Sequence, residues 1–310
     1  MNGTTISAII TTCNRPVSIL ERAVRSVVSQ TRIPDELIIV DDSSDEINDH
    51  QEMAEMLSRY AGKIDLRYIK NACCKGACYS RNKGIQTANG DYIAFLDDDD
   101  EWTKDKLYLQ EKVALKNTNA VLITGYIRVV NDEDGKTRIY NRGWEYEGSV
   151  LTKILGNNFV GGCSAPLLKK STVLQCGCFD EGFASSQDYD LWIRLAEAGD
   201  FAFVRDVIVD YHMHPGNITD DFDRRIKGWK RIYRKYNRLF KKYPEAKCCF
   251  LDMLAVNAWE CRRVAFAFGM LGKSIRTCGF DRELLRTLIK MCRISLKHAV
   301  GRISTSVWIQ

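Results

Sequence analysis

Four consecutive aspartates, Asp97, Asp98, Asp99 and Asp100, follow directly on the apolar run Tyr92-Ile93-Ala94-Phe95-Leu96. Like charges crowded at the tip of a buried strand repel, so a folded chain needs a compensating cation there or must protonate some of the carboxylates. A hard divalent ion, Mn2+ or Mg2+, meets that need, and an ion so held typically bridges carboxylates to the oxygens of a diphosphate. Two further carboxylates, Asp41 and Asp42, close the run Leu37-Ile38-Ile39-Val40, and Thr11 ends a short run that begins at Ile6. Asp188 opens a helix-like segment reaching residue 198, with Asp190 two positions on.

These positions make one site only if the elements bearing them converge. Residues 6–11 read as a strand, Asn14-Arg15-Pro16 as a turn, and Val17, Leu20, Val24, Val27 and Val28 as the apolar face of a helix. Residues 37–40 and 66–69 read as buried strands and residues 75–88 as a helix. After the turn Asn89-Gly90-Asp91, residues 92–96 form the strand that delivers the aspartates. A helix beginning near Lys104, a strand at 121–124, the helix of 188–198 and two short strands at 201–204 and 207–211 complete the pattern. Strands alternating with helices predict an α/β fold, Rossmann-like, with a mostly parallel sheet and helices on both faces. Open sheets of this kind bind ligands beyond the carboxyl ends of their strands, where Thr11, Asp41, Asp42 and the aspartate run fall.

The 310 residues, 45% of them hydrophobic, suffice for one large α/β domain and a smaller appendage. Charge is divided unevenly: residues 1–220 hold 24 Lys and Arg against 33 Asp and Glu, whereas residues 221–310 hold 21 against 7. That last part reads as helical and basic, with Trp229, Ile232, Tyr233, Tyr236, Leu239, Phe240 and Tyr243 on one helical face and Pro244 as the stop. Such a stripe suits a helix in the interface of an anionic membrane, and equally a helix packed on its own domain with a solvated basic face. The first residues show no basic segment followed by a signal-like apolar run, and no stretch approaches about 18 consecutive apolar residues. The expectation is a cytoplasmic protein, peripheral at most on the inner face of the cell membrane. The twelve cysteines lack Cys-x-x-Cys spacing and read as small buried hydrophobes of a reducing compartment.

Five segments in order resemble the family 2 glycosyltransferases, nucleotide-sugar-dependent enzymes of the GT-A fold. They are Ile9-Ile10-Thr11-Thr12-Cys13-Asn14-Arg15, the Ser29-Gln30-Thr31 and Glu36-Leu37-Ile38-Ile39-Val40-Asp41-Asp42-Ser43-Ser44-Asp45 pair, and Ser80-Arg81-Asn82-Lys83-Gly84 before Ala88-Asn89-Gly90-Asp91. Phe95-Leu96-Asp97-Asp98-Asp99-Asp100-Glu101-Trp102 and Gln187-Asp188-Tyr189-Asp190-Leu191-Trp192 complete the series. The likeness implies a GT-A catalytic domain over residues 1–219, followed by a basic helical region over 220–310. It implies that Thr11 and Asp42 contact the nucleotide base with Asp41 beside them, and that Arg81 and Asn82 line the donor pocket. Asp97, Asp98 and Asp99 cover the metal-binding motif, Asp98 toward the ribose and Asp99 as direct ligand with Asp97, while Asp100 shapes the turn.

By the same resemblance Asp188 is the catalytic base, taking the acceptor hydroxyl's proton as that hydroxyl attacks the anomeric carbon with inversion. Its alternative is a helix N-cap, a place where Asp is favoured. Asp190 reads as structural. Tyr211-His212-Met213-His214-Pro215-Gly216-Asn217-Ile218-Thr219 resembles a segment closing over the donor phosphates, with His214 near the metal or diphosphate; an ordinary structural histidine is the alternative. Gly161-Gly162-Cys163-Ser164 reads either as a place where the acceptor approaches the backbone or as a tight bend. Processive relatives carry a Gln-x-x-Arg-Trp motif and membrane helices, and neither is found, which favours one sugar per encounter. The expected reaction moves a sugar from a UDP-sugar, with Mn2+ or Mg2+, to a glycan or lipid-linked acceptor of a bacterial surface polysaccharide. The competing reading is a non-catalytic nucleotide-sugar-binding regulator or partner subunit. A nucleic-acid partner rests on the basic tail alone and is not expected.

Overall fold

The computed structural model describes residues 4–44, 50–72, 74–214 and 221–299. Asp45, Cys73 and residues 215–219, singled out in the sequence, lie outside them. The chain divides into two units, one of Met1–Val150, Val160–Phe183 and Gln187–His214, the other of Leu151–Phe159, Ala184–Ser186 and Pro215–Gln310. Two short internal segments, Leu151–Phe159 and Ala184–Ser186, join the second unit.

The first unit opens with β1 (Ile6–Thr12), α1 (Val17–Val28), β2 (Glu36–Asp41), α2 (His50–Ser58), β3 (Asp65–Lys70), α3 (Ala77–Thr87) and β4 (Tyr92–Asp97). It continues with β5 (Glu101–Trp102), α4 (Lys106–Lys116), β6 (Ala120–Asn131) and β7 (Thr137–Ile139). After α5 (Leu151–Gly156), which belongs to the second unit, come β8 (Leu167–Lys169), α6 (Lys170–Gln175), α7 (Gln187–Ala198) and β9 (Asp200–Met213). One sheet joins the strands in the order β3-β2-β1-β4-β8-β6-β9-β5, with β7 paired to β6.

Strands β1 to β4 are mutually parallel, β8 runs antiparallel between β4 and β6, and β6 and β9 are again parallel. The sheet is thus mixed, where the sequence pattern predicts a mostly parallel one. The strand-helix-strand crossovers that enforce parallel neighbours end at β4, and later strands are free to reverse. β2 buries all its residues and β1 all but Thr11, as strands covered on both faces do. Ile6, Ala8 and Ile10 pack with Leu20, Val24 and Val27 of α1, each buried Ile, Leu or Val contributing about 1.5–3 kcal/mol. Ile9 faces α3 instead, where a Cβ at Gly84 would stand 2.6 Å from Ile9 Cγ2. Glycine at 84 is what lets helix and strand touch.

Residues 201–204 and 207–211, expected as two strands, belong to the single strand β9. Val204 pairs with Gly125 and Val207 with Tyr126, so Arg205 and Asp206 bulge from the ladder. Their polarity interrupts the sequence pattern without ending the strand.

The second unit holds α8 (Phe222–Lys235), α9 (Asn237–Lys242), α10 (Pro244–Glu260), α11 (Val264–Cys278) and α12 (Arg282–Ala299). Asp221 caps α8 by accepting the Arg224 N–H at 3.0 Å. The basic helix expected to run to Pro244 breaks at Tyr236, and Pro244 occupies the first turn of α10, where its missing N–H costs nothing. The aromatic stripe is buried within this unit: Phe240 stacks on Tyr233 at 5.3 Å and meets Phe250 at 5.0 Å, while Trp229 and Tyr236 are covered. Of the two readings the sequence allows for the stripe, packing on its own domain is the one observed. Cys248 of α10 is disulfide-bonded to Cys278 of α11, and Cys13, Cys74, Cys249 and Cys292 are exposed, so these six depart from the buried-hydrophobe expectation. No helix among the described residues is long and apolar enough to cross a membrane.

Candidate active site

Strand register builds the site. Thr12 pairs with Asp41 across β1 and β2, and Thr11 with Asp97 across β1 and β4, so these residues share the carboxyl ends of adjacent parallel strands. Past Asp97 the chain turns, the Asp100 N–H donating to the Asp97 carbonyl at 3.2 Å.

The four aspartates alternate. Asp97 and Asp99 keep 31% and 18% of their side chains exposed, whereas Asp98 and Asp100 are buried. Asp97 Oδ1 accepts from Arg81 Nη2 at 2.7 Å. Asp98 accepts from Thr12 Oγ1 at 2.7 Å and from Arg15 Nε at 3.1 Å. Asp99 Oδ2 accepts from Arg15 Nη2 at 2.8 Å and lies 3.1 Å from His214 Nε2, and the Asp99 carbonyl accepts from Arg22. Asp100 turns inward, where Ser164 Oγ donates at 2.6 Å and the His212 N–H at 3.2 Å. Ser164 in turn accepts the Asp97 N–H at 3.1 Å, and its carbonyl accepts Trp102 Nε1–H at 2.9 Å. One serine therefore ties both ends of the acidic turn.

The expected repulsion is relieved by cations at three members of the run. Burial pushes the Asp98 carboxyl up to about 6 against the pull of Thr12 and Arg15. Burial, then the charges of Asp99 and Asp97, push Asp100 well above the carboxylate range. Its shaping of the turn agrees with the sequence reading.

Asp41 and Asp42 are both buried. Burial alone would raise Asp41, but hydrogen bonds from Ser43 and Tyr68 hold it below its ordinary value; the Ser43 N–H donates at 2.8 Å and Tyr68 Oη at 2.6 Å. Asp42 spends both oxygens on protein: Asn71 Nδ2 at 2.7 Å, the Lys75 N–H at 2.9 Å and the Gly76 N–H at 2.6 Å. It thereby fixes the loop entering α3.

Arg81 and Asn82, neighbours on α3, have different fates. Arg81 is buried over the Phe179 ring beside Asp97, and its Nε and Nη1 have no hydrogen-bond partner among the described residues. Asn82 braces a loop, donating to the Phe179 carbonyl and to Glu181 at 3.0 Å each and accepting the Phe179 N–H at 2.9 Å. Its amide is thus turned to structural work where the resemblance implies donor contact.

Asp188 lies within the first turn of α7, which starts at Gln187, and accepts the Tyr189 N–H at 2.7 Å. Burial pushes its carboxyl up to about 6; the Tyr189 N–H and Arg81 draw it down, and Asp97 drives it up. The carboxylate on the helix and the acidic turn thus share one electrostatic neighbourhood, with Arg81 between their influences. Asp190 is fully buried and accepts from Arg194 at 3.0 and 2.7 Å, a structural pair. His212 is held elsewhere, with Nδ1 2.6 Å from Asp132 and Nε2 3.2 Å from Glu101.

Among the described residues no three or more His, Cys, Asp or Glu gather as a metal-binding group. The Asp99 carboxylate, an oxygen donor of the kind Mn2+ and Mg2+ prefer, and the His214 imidazole converge, however, at 3.1 Å. Sites of this class often use one or two protein ligands and complete the shell with phosphate oxygens and water, so the pair fits. Gly161 resolves as a tight bend: its φ is +84°, a Cβ would stand 2.8 Å from Ile127 Cδ1, and its carbonyl accepts Trp192 Nε1–H at 3.1 Å.

Thr12, Arg15, Arg22 and Ser164 are the residues that sequence reasoning did not assign. Thr12 and Arg15 stand inside the first of the five family-like segments, where the pleat turns Thr12 away from Thr11 and toward the acidic turn.

Residues 7–171 match the Glycosyl transferase family 2 domain. The chain is 27% identical over 252 residues to TuaG of Bacillus subtilis, a glycosyltransferase assigned to teichuronic acid biosynthesis, covering 81% of this chain and 95% of TuaG. It is 29% identical to WcaA of Escherichia coli, a glycosyl transferase assigned to colanic acid biosynthesis, over 78% of this chain and 86% of WcaA. S. aureus TarS 1–349, solved in complex with UDP and with UDP-GlcNAc, aligns with a TM-score of 0.62 at 14% identity, covering 96% of this chain and 92% of that one. GalNAc-T7, solved with UDP, GalNAc and Mn2+, aligns with a TM-score of 0.56 at 16% identity over 75% of this chain and 48% of that one. With the strand-end site built on a mixed sheet of the GT-A type, the chain belongs to the family 2 glycosyltransferases.

Proposed function

We propose that the protein transfers one sugar, with inversion, from a UDP-sugar to a hydroxyl of a bacterial surface polysaccharide or its lipid-linked precursor, with Asp188 as general base. The observation that carries this reading is the placement of the Asp188 carboxyl in the first turn of α7, within the electrostatic reach of Arg81 and Asp97, where burial pushes it up to about 6. Such a base is mostly ionised at neutral pH yet basic enough to take a hydroxyl proton, and assistance of this kind contributes about 10²–10⁴-fold. As the acceptor oxygen bonds to the anomeric carbon, the bond from that carbon to the diphosphate breaks and the hydroxyl proton passes to Asp188.

The two unpartnered donors of buried Arg81 support a contact with the diphosphate or the sugar, since buried donors are seldom left unsatisfied. Thr11, Asp41 and Asp42 would border the nucleotide base, Asp42 chiefly by fixing Lys75 and Gly76. Asp98 would face the ribose. Asp99 and His214, with Asp97 beside them, would hold Mn2+ or Mg2+, which when bound neutralises charge on the departing diphosphate. The TarS and GalNAc-T7 complexes support a UDP donor, the latter also Mn2+, and the names of TuaG and WcaA support a surface-polysaccharide acceptor. The basic second unit supports a place on the inner face of the cell membrane.

A thermal-shift panel of nucleotide sugars, with and without Mn2+, tests the donor, because a ligand that binds the native state raises Tm. A UDP-sugar is expected to stabilise most, and only with the metal. No stabilisation by any UDP-sugar, or undiminished UDP release by Asp188→Asn, would overturn the reading.

A further inference from the structure

Within the second unit, α8, α10 and α11 line a half-open cavity of about 320 Å³. Its walls are Trp229, Tyr233, Leu254, Phe266 and Met270, and its cationic rim is Lys230, Arg234 and Lys273. The volume lies at the lower end of the range for small-molecule sites, about 300–1,000 Å³, and the apolar walls with few charged groups follow the usual composition of such sites. Met270 supplies an unbranched, adaptable side chain on one wall.

The rim distinguishes this cavity from a packing fault. Lys230, Arg234 and Lys273 are exposed. Arg263 and Arg286 of the same unit have carboxylate partners, Asp223 and Glu283, whereas among the described residues no carboxylate pairs with the three rim cations. An apolar slot mouthed by three uncompensated cations complements a molecule with a hydrocarbon chain and an anionic head. A nucleotide base would meet too few polar partners on these walls, and a neutral apolar ligand would leave the cations unused.

Other faces of the unit also carry apolar surface. Among the described residues, seven of the eleven exposed large hydrophobic side chains belong to this unit: Val264, Phe268, Ile275, Phe280, Leu285, Ile289 and Leu296. Apolar side chains set among Lys and Arg are what an interfacial protein presents to an anionic bilayer.

We propose that this cavity binds one chain of an anionic membrane phospholipid, whose phosphate is held by Lys230, Arg234 and Lys273. Two residues of the aromatic stripe, Trp229 and Tyr233, form walls of the slot that receives the lipid. The assignment goes beyond the proposed transfer reaction and is measured without any sugar donor, so each can fail while the other stands.

The test uses the full chain and vesicle flotation. Vesicles of phosphatidylcholine containing phosphatidylglycerol are expected to bind, pure phosphatidylcholine vesicles not, and lysophosphatidylglycerol below its micelle concentration should compete where inorganic phosphate does not. The variant Lys230→Glu/Arg234→Glu/Lys273→Glu is expected to lose tenfold or more in vesicle affinity. A variant of equal charge change away from the slot, Arg238→Glu/Lys241→Glu/Lys242→Glu, should lose less than threefold. Unchanged circular dichroism and Tm establish that both variants are folded. Equal losses in the two variants would show diffuse charge attraction and overturn the site, as would competition by inorganic phosphate alone or absence of binding to the anionic vesicles.

Discussion

In the first unit the charges at the strand ends are matched residue by residue: Asp97 with Arg81, Asp98 and Asp99 with Arg15, Asp41 with Lys70. In the second unit Lys230, Arg234, Arg238, Lys241 and Lys242 stand outward around an aromatic interior. Burying charge is costly, and a fold that keeps several buried carboxylates together retains them where they perform chemistry. Surface cations cost little and report on what the unit meets in its surroundings. Substitutions in the two places should therefore differ in effect by orders of magnitude.

The largest effect is expected at Asp188. Asp188→Asn should lower transfer by about 10²–10⁴-fold while leaving donor-induced thermal stabilisation in place. A fall of less than threefold in UDP release would remove Asp188 from the chemistry and make the matched charges of the first unit mere architecture.

Ser164→Ala comes next. It removes the donor to buried Asp100 and the acceptor of the Asp97 N–H, a loss of about 1–3 kcal/mol in stability. Displacement of the turn should cost about tenfold in transfer, since small misplacements of binding groups are expensive in catalysis. Chemical denaturation and UDP release measure the two effects, and a variant that is stable and fully active would show that the tie is dispensable.

A third contrast lies in stability against pH. The folded pKa of Asp188 is raised, so its proton is held more tightly in the folded than in the unfolded chain. Stability from this group is complete below the unfolded value near 4 and is lost as pH rises through about 6. Asp188→Asn should then be more stable than the parent at pH 8 by on the order of 1 kcal/mol, after allowance for its partial exposure, and equal to it near pH 4. Parallel melting curves at the two pH values would expose the opposite trend.

The smallest effect should be Lys241→Glu in the second unit, within about 0.5 kcal/mol of the parent in stability and without change in UDP release.

The parts of the fold that the sequence makes legible are those with strong local periodicity. The runs ending at Thr12, Asp41 and Asp97 have apolar side chains on both faces, and their in-register pairing puts the named residues together. Legibility stops where long-range partners decide. β9 reads as two strands because only its pairing with β6 shows that Arg205 and Asp206 are a bulge. Ser164 carries no chemical signature in sequence, and its role depends on Asp97 and Asp100, which lie more than sixty residues earlier. Asn82 looks equivalent to Arg81 until Phe179 claims its amide. In the second unit one aromatic stripe suits a membrane interface and packing on its own domain alike, and the break at Tyr236 and the Cys248–Cys278 link follow from contacts between helices.

The most direct test of the central claim, that Asp188 is the base, is the pH profile of kcat for UDP release. It should be measured between pH 4.5 and 8 with the UDP-sugar that stabilises the protein most. The account predicts a plateau above about 6 and a tenfold fall per pH unit below it, abolished with most of the activity in Asp188→Asn. A rate that is flat through this range, or a variant that keeps the parent profile, would contradict it.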